Sequence, residues 1–505
     1  MIASLLRPEA YDHPAGEIRL IETHISWVLL SGAYAYKIKK PVDLGFVDFT
    51  TPERRRWYCR EELRLNRRLA PDLYLGLRPV RGPAERASFR GDGPPIELAL
   101  QMRRFPQDDL LPAALARGAL TPGLLEQLAD ALARFHAAAA VAGPDTPHGS
   151  PEAVCAPVFA NLDVLQAQAA PAAVVARLRR WSEAEAEGLR PVFAARKAAG
   201  AIREGHGDLH LGNMVLHGGR IEVFDCLEFS EALRWIDPVS DLAFLAMDLA
   251  RRGHPGAACT VLNRWLATGG DYPGLRTWRW YLLYRALVRA KVATLRLAQG
   301  GGRGGGGDGL RRERDGYLAW AEATRRSPAG ALVITHGVSG SGKSHLAREL
   351  CRRLGWIHLR SDVERLRLFG RWGCPARASF CGDPYRPEVS EHLYGERLPA
   401  CAGAALAGGL AVLVDATFLR RHQRRRMGEL AGACGVPFLI LDCSCPPDLA
   451  RRRIAARRSA GGDPSEADGA VLEAQLRDRE PLGAHEETHA MGVGPREAGD
   501  PDRLA

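Results

Sequence analysis

Ala331-Leu-Val-Ile-Thr-His-Gly337-Val-Ser339-Gly340-Ser341-Gly342-Lys343-Ser344, followed by His345-Leu-Ala-Arg-Glu-Leu350, decides how the last third of this chain is read. An apolar, β-branched run breaks into glycines and then into a helical pattern. Strand, glycine-rich turn, Lys-Ser and helix, in that order, are the setting in which G-x-x-x-x-G-K-S cradles phosphate groups. Gly337, Gly340 and Gly342 let the backbone turn tightly, so that N–H groups along the loop, including those of Ser339 and Ser341, face a phosphate. The helix starting near Lys343 adds its positive end. Lys343 is expected to reach the β- and γ-phosphates of ATP, and the Ser344 hydroxyl to hold Mg²⁺.

Outward from this loop, strands and helices alternate. Strands are expected at Trp356–Leu359, Leu410–Asp415 and Phe438–Asp442, and helices near Asp362–Phe369 and Arg420–Cys434. Alternation of this kind predicts a doubly wound parallel sheet, the P-loop NTPase type of α/β fold. Asp415 ends an apolar strand and is expected to hold Mg²⁺ beside Ser344, or else to cap the next helix. In Ser361-Asp362-Val-Glu-Arg365, at the carboxyl end of a strand, Asp362 is placed to take a proton from an acceptor hydroxyl and Arg365 to bind an anionic substrate group. A capping Asp and a solvated Arg are the alternative. Arg453 and Arg457 share a helix face at i, i+4. They either stabilise charge on the transferring phosphoryl group, as part of a lid, or form a solvated basic surface.

Residues 331–490 resemble a family of P-loop kinases related to polynucleotide, gluconate and shikimate kinases and to zeta toxins. The resemblance rests on the glycine-rich loop, Arg360-Ser-Asp-Val-Glu-Arg365, Val414-Asp-Ala-Thr-Phe418, Pro437-Phe438 and Asp463-Pro-Ser-Glu-Ala467. It implies that Asp362 is the base and that Arg365 helps hold the substrate.

The first two-thirds reads differently. His206-Gly-Asp208-Leu-His-Leu-Gly-Asn213 fits H-x-D-L-x-x-x-N, and Arg220-Ile-Glu-Val-Phe-Asp225 is a short strand ending in a carboxylate. Transfer of a phosphoryl group to a hydroxyl needs this set. Asp208 orients the hydroxyl and takes its proton, while Asn213 and Asp225 hold Mg²⁺ on the ATP phosphates. Upstream, Ile18–Leu30 and Ala33–Lys40 read as β segments around Ser31-Gly32, and Pro52–Leu69 reads as a helix. Lys37 is the candidate for the α- and β-phosphates, with Glu62 (or Glu61) fixing it. Lys39 points the same way on a period-2 strand. Ile96–Phe105 is expected to be a strand, with Gln101–Phe105 beside adenine. A metal cluster of His206, Asp208 and His210 is the competing reading. The aromatic run Thr277–Tyr284 is expected to be helix core.

A small β-rich lobe followed by a helical lobe predicts a two-lobed, protein-kinase-like α+β fold. Residues 1–326 resemble the aminoglycoside phosphotransferase and choline kinase group, by the Asp208 motif, Phe224-Asp225-x-x-Glu228-Phe229, Tyr36-Lys-Ile-Lys-Lys-Pro-Val42, Leu65-Asn-Arg-Arg-Leu69 and Ile236-Asp-Pro-x-x-Asp241. The resemblance implies Asp208 as base and Asp225 as metal ligand. The chain departs from the protein-kinase pattern in two ways: it has no G-x-G-x-x-G loop near the start, and Asp225-Cys-Leu stands in place of Asp-Phe-Gly.

With 505 residues, 46% of them hydrophobic and 25% charged, the chain has the length and apolar content for more than one core. The expected domains are 1–326, with a flexible Gly-rich loop at 299–309, and 327–491, with a disordered tail at 492–505. No apolar run reaches the ~18 residues of a membrane span, and the N-terminus has no secretory pattern, which predicts a cytoplasmic protein. The 11 cysteines are odd in number and lack paired spacing, as reduced thiols would be. The net charge of +10, almost all from Arg, does not single out a nucleic-acid partner. Together these features predict an ATP- and Mg²⁺-dependent bifunctional kinase acting on small polar hydroxyl acceptors. Two alternatives stand beside it: a nucleic-acid 5′-hydroxyl kinase in the P-loop half, and a nucleotide-sensing first domain that regulates the second.

Overall fold

The computed structural model describes residues 1–45, 47–168, 170–299, 307–326, 330–374, 378–460 and 463–494. It divides into two compact units: residues 1–131, 138–149 and 200–241, and residues 132–137, 150–199 and 242–505. The middle of the Gly-rich stretch 299–309, the first residues of the expected second domain at 327–329, and the tail from 495 lie outside the described residues. No helix among the described residues is long and apolar enough to cross a membrane.

The first unit is built on a five-stranded antiparallel sheet, ordered β1-β2-β3-β5-β4. Its strands are β1 (Arg19–Glu22), β2 (Ser26–Ser31), β3 (Tyr34–Lys39), β4 (Tyr74–Arg81) and β5 (Pro95–Arg103). The period of two sorts β3. Tyr36 and Ile38 enter a core with Tyr11, Leu29 and Phe89, whereas Lys37 and Lys39 turn toward the helix Pro52–Asn66. That helix begins with Thr51, whose side chain accepts the Arg54 N–H, and with Pro at its first position.

The single β segment expected over Ile18–Leu30 is in fact two strands. Thr23 closes the turn between them: its hydroxyl accepts the Ser26 N–H at 2.9 Å and donates to Ser26 O at 3.0 Å. A side chain makes this turn without Gly or Pro, so the usual turn signals are missing from the sequence. Farther on, β6 (Arg203–Glu204) pairs with β9 (Trp235–Ile236), and β7 (Met214–His217) forms a hairpin with β8 (Arg220–Val223). Gly218 and Gly219 both have positive φ, as a two-residue hairpin turn requires.

In the second unit the helices Pro151–Ala167, Ala172–Ala198, Pro255–Gly269, Trp278–Ala298 and Gly307–Arg325 accompany a five-stranded sheet. Trp278, Trp280 and Tyr281 are buried, so the aromatic run is helix core. The sheet is parallel throughout, ordered β11-β12-β10-β13-β14. It comprises β10 (Leu332–His336), β11 (Ile357–Arg360), β12 (Val412–Asp415), β13 (Phe438–Cys443) and β14 (Ala490–Val493). β14 pairs with β13 and includes Gly492 and Val493, the first residues of the expected tail. Its Met491 is exposed, so the strand lacks the apolar run that marks the others.

Candidate active sites

In the first unit, β3 and the helix Pro52–Asn66 bring two lysines onto one buried carboxylate. Lys37 Nζ donates to Glu62 Oε1 at 2.7 Å and to Asp225 Oδ1 at 2.8 Å. Lys39 Nζ donates to Glu62 Oε2 at 2.5 Å and also to Glu228. Both lysines therefore reach Glu62, and Lys37 is the one that also reaches Asp225. Glu61 faces elsewhere: its carboxylate accepts from Arg64 at 2.6 Å and from Arg234 at 3.4 Å.

The loop between β6 and β7 is fixed from beneath. The buried Asp241 carboxylate accepts the His206 N–H at 2.7 Å and the Gly207 N–H at 2.9 Å. The His206 ring lies against Phe224 O at 3.0 Å through Nε2 and accepts the Asp208 N–H through Nδ1 at 3.2 Å. Both ring nitrogens are thus engaged with backbone, which removes His206 from a metal cluster with His210. Burial pushes the His206 pKa down, and Asp241 and Asp208 only partly offset it. A neutral ring with its proton on Nε2 satisfies both contacts. Asn213 Nδ2 donates to Asp208 O at 3.0 Å and to Asp208 Oδ2 at 2.9 Å. Asp225 sits at φ 63°, in the left-handed region. That strain costs on the order of 1–3 kcal/mol and is typical of a residue whose side chain must be aimed. Gln101 Nε2 donates to the Tyr36 hydroxyl at 3.2 Å, and Phe105 packs on Phe224.

In the second unit Ser339, Gly340, Gly342, Lys343 and Ser344 of the phosphate loop line one cleft of about 650 Å³ together with Asp362, Arg365, Asp415, Arg453 and Arg457, whereas Gly337 and Ser341 are not among its lining residues. Gly337 has φ 132°, and a Cβ there would meet Cys443 O at 2.4 Å. Glycine is required at that position by both conformation and space. Lys343 is buried and donates to Val338 O at 2.6 Å. Burial draws its pKa below the ordinary lysine value, with Asp415 and Asp362 among the groups acting against this. Asp415 is buried. Burial alone would raise its carboxyl, but His358, Arg360 and the Ser344 hydroxyl hold it down at about 2. Arg365 donates to Pro384 O at 2.7 Å and lies over the Tyr385 ring. Arg453 donates to Ser341 O at 3.1 Å, and Arg457 to Ala467 O at 3.0 Å. The helix Pro447–Ala460 that carries both touches the glycine-rich loop through Ala450 and Ile454, beside Val338.

Two family models match the chain. One, described as the phosphotransferase enzyme family, covers residues 48–281, and one described as an AAA domain covers residues 332–482. An uncharacterized protein of Mycobacterium tuberculosis is 31% identical over 477 residues, which span 92% of this chain and 91% of the relative, and one from Mycobacterium bovis matches equally. This chain belongs to their family. It is a fusion of a phosphotransferase-family part with a P-loop part, and its activity is of the kinase type. Among solved structures, a choline/ethanolamine kinase family protein from Mesorhizobium loti has a TM-score of 0.41 at 16% identity, covering 65% of this chain and 96% of its own. A gluconokinase from Sinorhizobium meliloti has 0.24 at 22%, covering 36% and 95%.

Among the contributors to these sites, Asp241, Glu228 and Gln475 are residues to which the sequence alone assigns no role. Asp241 and Glu228 lie within motifs quoted for their resemblance, so their positions were visible and their roles were not. Gln475, whose Oε1 accepts the Ser339 N–H at 2.7 Å, lies 136 residues from its partner with no pattern linking them.

Glu62 supports a stability prediction. Burial would raise its carboxyl, yet the Lys37 and Lys39 ammonium groups outweigh burial and hold it at about 2 against an ordinary 4.5. A carboxyl held down in this way stabilises the fold fully above pH about 4.5, and the contribution is lost as pH falls through about 2. Glu62→Gln removes the carboxylate shared by the buried Lys39 and the partly buried Lys37 and is expected to cost about 3–5 kcal/mol near neutral pH. Urea denaturation of both proteins across pH should show that gap narrowing as the solution is acidified through this window.

Proposed function

We propose that both parts are active kinases, each passing the γ-phosphate of ATP to a hydroxyl on a small polar acceptor. The observation that carries this reading is a repeated chemical set. Each unit holds a lysine, oxygen donors suited to Mg²⁺, and a further Asp suited to serve as base: Lys37, Asn213, Asp225 and Asp208 in the first; Lys343, Ser344, Asp415 and Asp362 in the second.

These donors fit a hard cation. Asn213 commits its amide N–H groups to Asp208, which leaves its carbonyl oxygen for a metal, and Asp225 adds a carboxylate. Ser344 and Asp415 are likewise oxygen donors in mutual hydrogen bond. Few protein ligands suit Mg²⁺, which keeps its remaining positions for water and phosphate. Mg²⁺ held by these residues would supply neutralisation of the charge on the nucleotide's phosphates.

The side chains divide the remaining work. Lys37, held by Glu62, is directed to the α- and β-phosphates, and Asp208 receives the acceptor's hydroxyl proton as the new P–O bond forms and the bond to the ADP oxygen breaks. In the P-loop part the loop N–H groups and Lys343 grip the β- and γ-phosphates, Asp362 receives the proton, and Arg365 binds an anionic group of the acceptor. Arg453 and Arg457 face the charge that develops on the phosphoryl group.

The test is a phosphorylation screen of a metabolite pool with labelled ATP, using wild type, Asp208→Ala and Lys343→Ala. Two products are expected, each lost in one variant. A single product lost in both variants, or products that survive in both, would contradict two independent kinases.

A further inference from the structure

Asp415 does not rest on Ser344 alone. His358 Nε2 lies 3.2 Å from Asp415 Oδ2, and the imidazole is 8% exposed. The Arg360 guanidinium has its Nε 3.7 Å from the same oxygen, and that nitrogen has no hydrogen-bond partner among the described residues. The nearer donor to the carboxylate is therefore the His358 ring, with a proton on Nε2.

The His358 backbone is in turn held from outside the sheet. Its N–H donates to Asn263 Oδ1 at 2.8 Å, and Asn263 Nδ2 donates to Trp356 O at 2.9 Å. These two groups flank Ile357 on β11, the outermost strand on that side. A neighbouring parallel strand would use this same N–H and C=O, so the Asn263 amide stands in for a sixth strand and closes an exposed edge. Asn263 belongs to the helix Pro255–Gly269, within the stretch matched by the phosphotransferase model. One turn earlier, Cys259 Sγ lies 3.0 Å from Cys351 O. At the end of the same helix, Arg367 donates to Thr268 O at 3.1 Å, and Arg367 shares its own helix with Asp362 and Arg365.

We infer that His358 is a positioning residue for the P-loop part's metal-binding carboxylate, and that Asn263 holds it in place. A helix of the phosphotransferase-matched stretch is thereby a working part of the P-loop site. This rests on the reading of Asp415 as a metal ligand. Turning one carboxylate oxygen onto His358 leaves the other for the cation, and partners behind a ligand typically change metal affinity by about 10–100-fold when removed.

The test uses the full-length protein carrying Asp225→Ala, which removes the metal carboxylate of the first site. Mn²⁺ binding in the presence of ADP is followed by electron paramagnetic resonance. His358→Leu should weaken Mn²⁺ by about 10-fold or more. His358→Gln, whose amide N–H can still reach Asp415, should recover most of that loss. Asn263→Ala should weaken Mn²⁺ in the same direction with an unchanged circular dichroism spectrum. A purely structural role would lower the melting temperature and leave Mn²⁺ affinity in the folded protein alone. Unchanged affinity in His358→Leu overturns the inference; if that variant does not fold, unchanged affinity in Asn263→Ala does so. Mn²⁺ binding that is absent from the parent, or insensitive to Lys343→Ala, overturns the reading of the P-loop site itself and the inference with it.

Discussion

Lys343→Ala should abolish the activity of the P-loop part while leaving the first site at work. The ammonium group is buried at the base of a loop whose other contributions are backbone N–H groups, and alanine leaves those in place. Removing one preorganised charge from a phosphate site costs on the order of 10³ in rate, about 4 kcal/mol of barrier. The fold should survive, because Lys343 donates to Val338 O and Ser341 Oγ within its own loop and makes no ion pair among the described residues. The measurement is ATP turnover with an Asp208→Ala background on both sides of the comparison, so that only the P-loop part contributes. Equal turnover with and without Lys343 would show that the cleft is not where ATP reacts.

Asp208→Asn is the second large effect, and it separates chemistry from architecture. Asparagine has the same shape and can still meet Asn213 and the loop backbone, but it cannot take a proton. A general base contributes about 10²–10⁴ in rate, so turnover at the first site should fall by that factor in a Lys343→Ala background. Affinity for ATP should hold, since Lys37, Glu62 and Asp225 are untouched. The supports beneath Asp208 are backbone contacts, with Asp241 gripping His206 and Gly207 and the His206 ring gripping the Asp208 N–H. They are indifferent to the change from Asp to Asn. Full activity in Asp208→Asn would remove Asp208 as the base. A collapse of ATP affinity would instead mark it as part of nucleotide binding.

What could be read from the sequence was what is local. The phosphate loop, the helix after it and the strands β10, β12 and β13 announce themselves, because a buried parallel strand is a short apolar run ending where the chain turns. The His206–Asn213 loop was equally legible, since spacing alone brings Asp208 and Asn213 together. Long-range pairing was not. Nothing in the sequence says that Asn263 reaches the backbone of His358, 95 residues away. Nor does it say that Lys37 and Lys39 share one carboxylate, because period 2 gives them a common face but not a common partner. The Thr23 turn was missed because a hydroxyl does there what Gly or Pro does elsewhere. The strand Ala490–Val493 was missed because an edge strand with an exposed Met491 lacks the apolar pattern of its neighbours.

Two kinases in one chain require two independent triphosphate sites. Isothermal titration of the full-length protein with a non-hydrolysable ATP analogue and Mg²⁺ measures this directly. Two molecules bound per chain are predicted, falling to one in Lys343→Ala. A wild-type chain that binds only one, or a Lys343→Ala chain that still binds two with undiminished affinity, would contradict it.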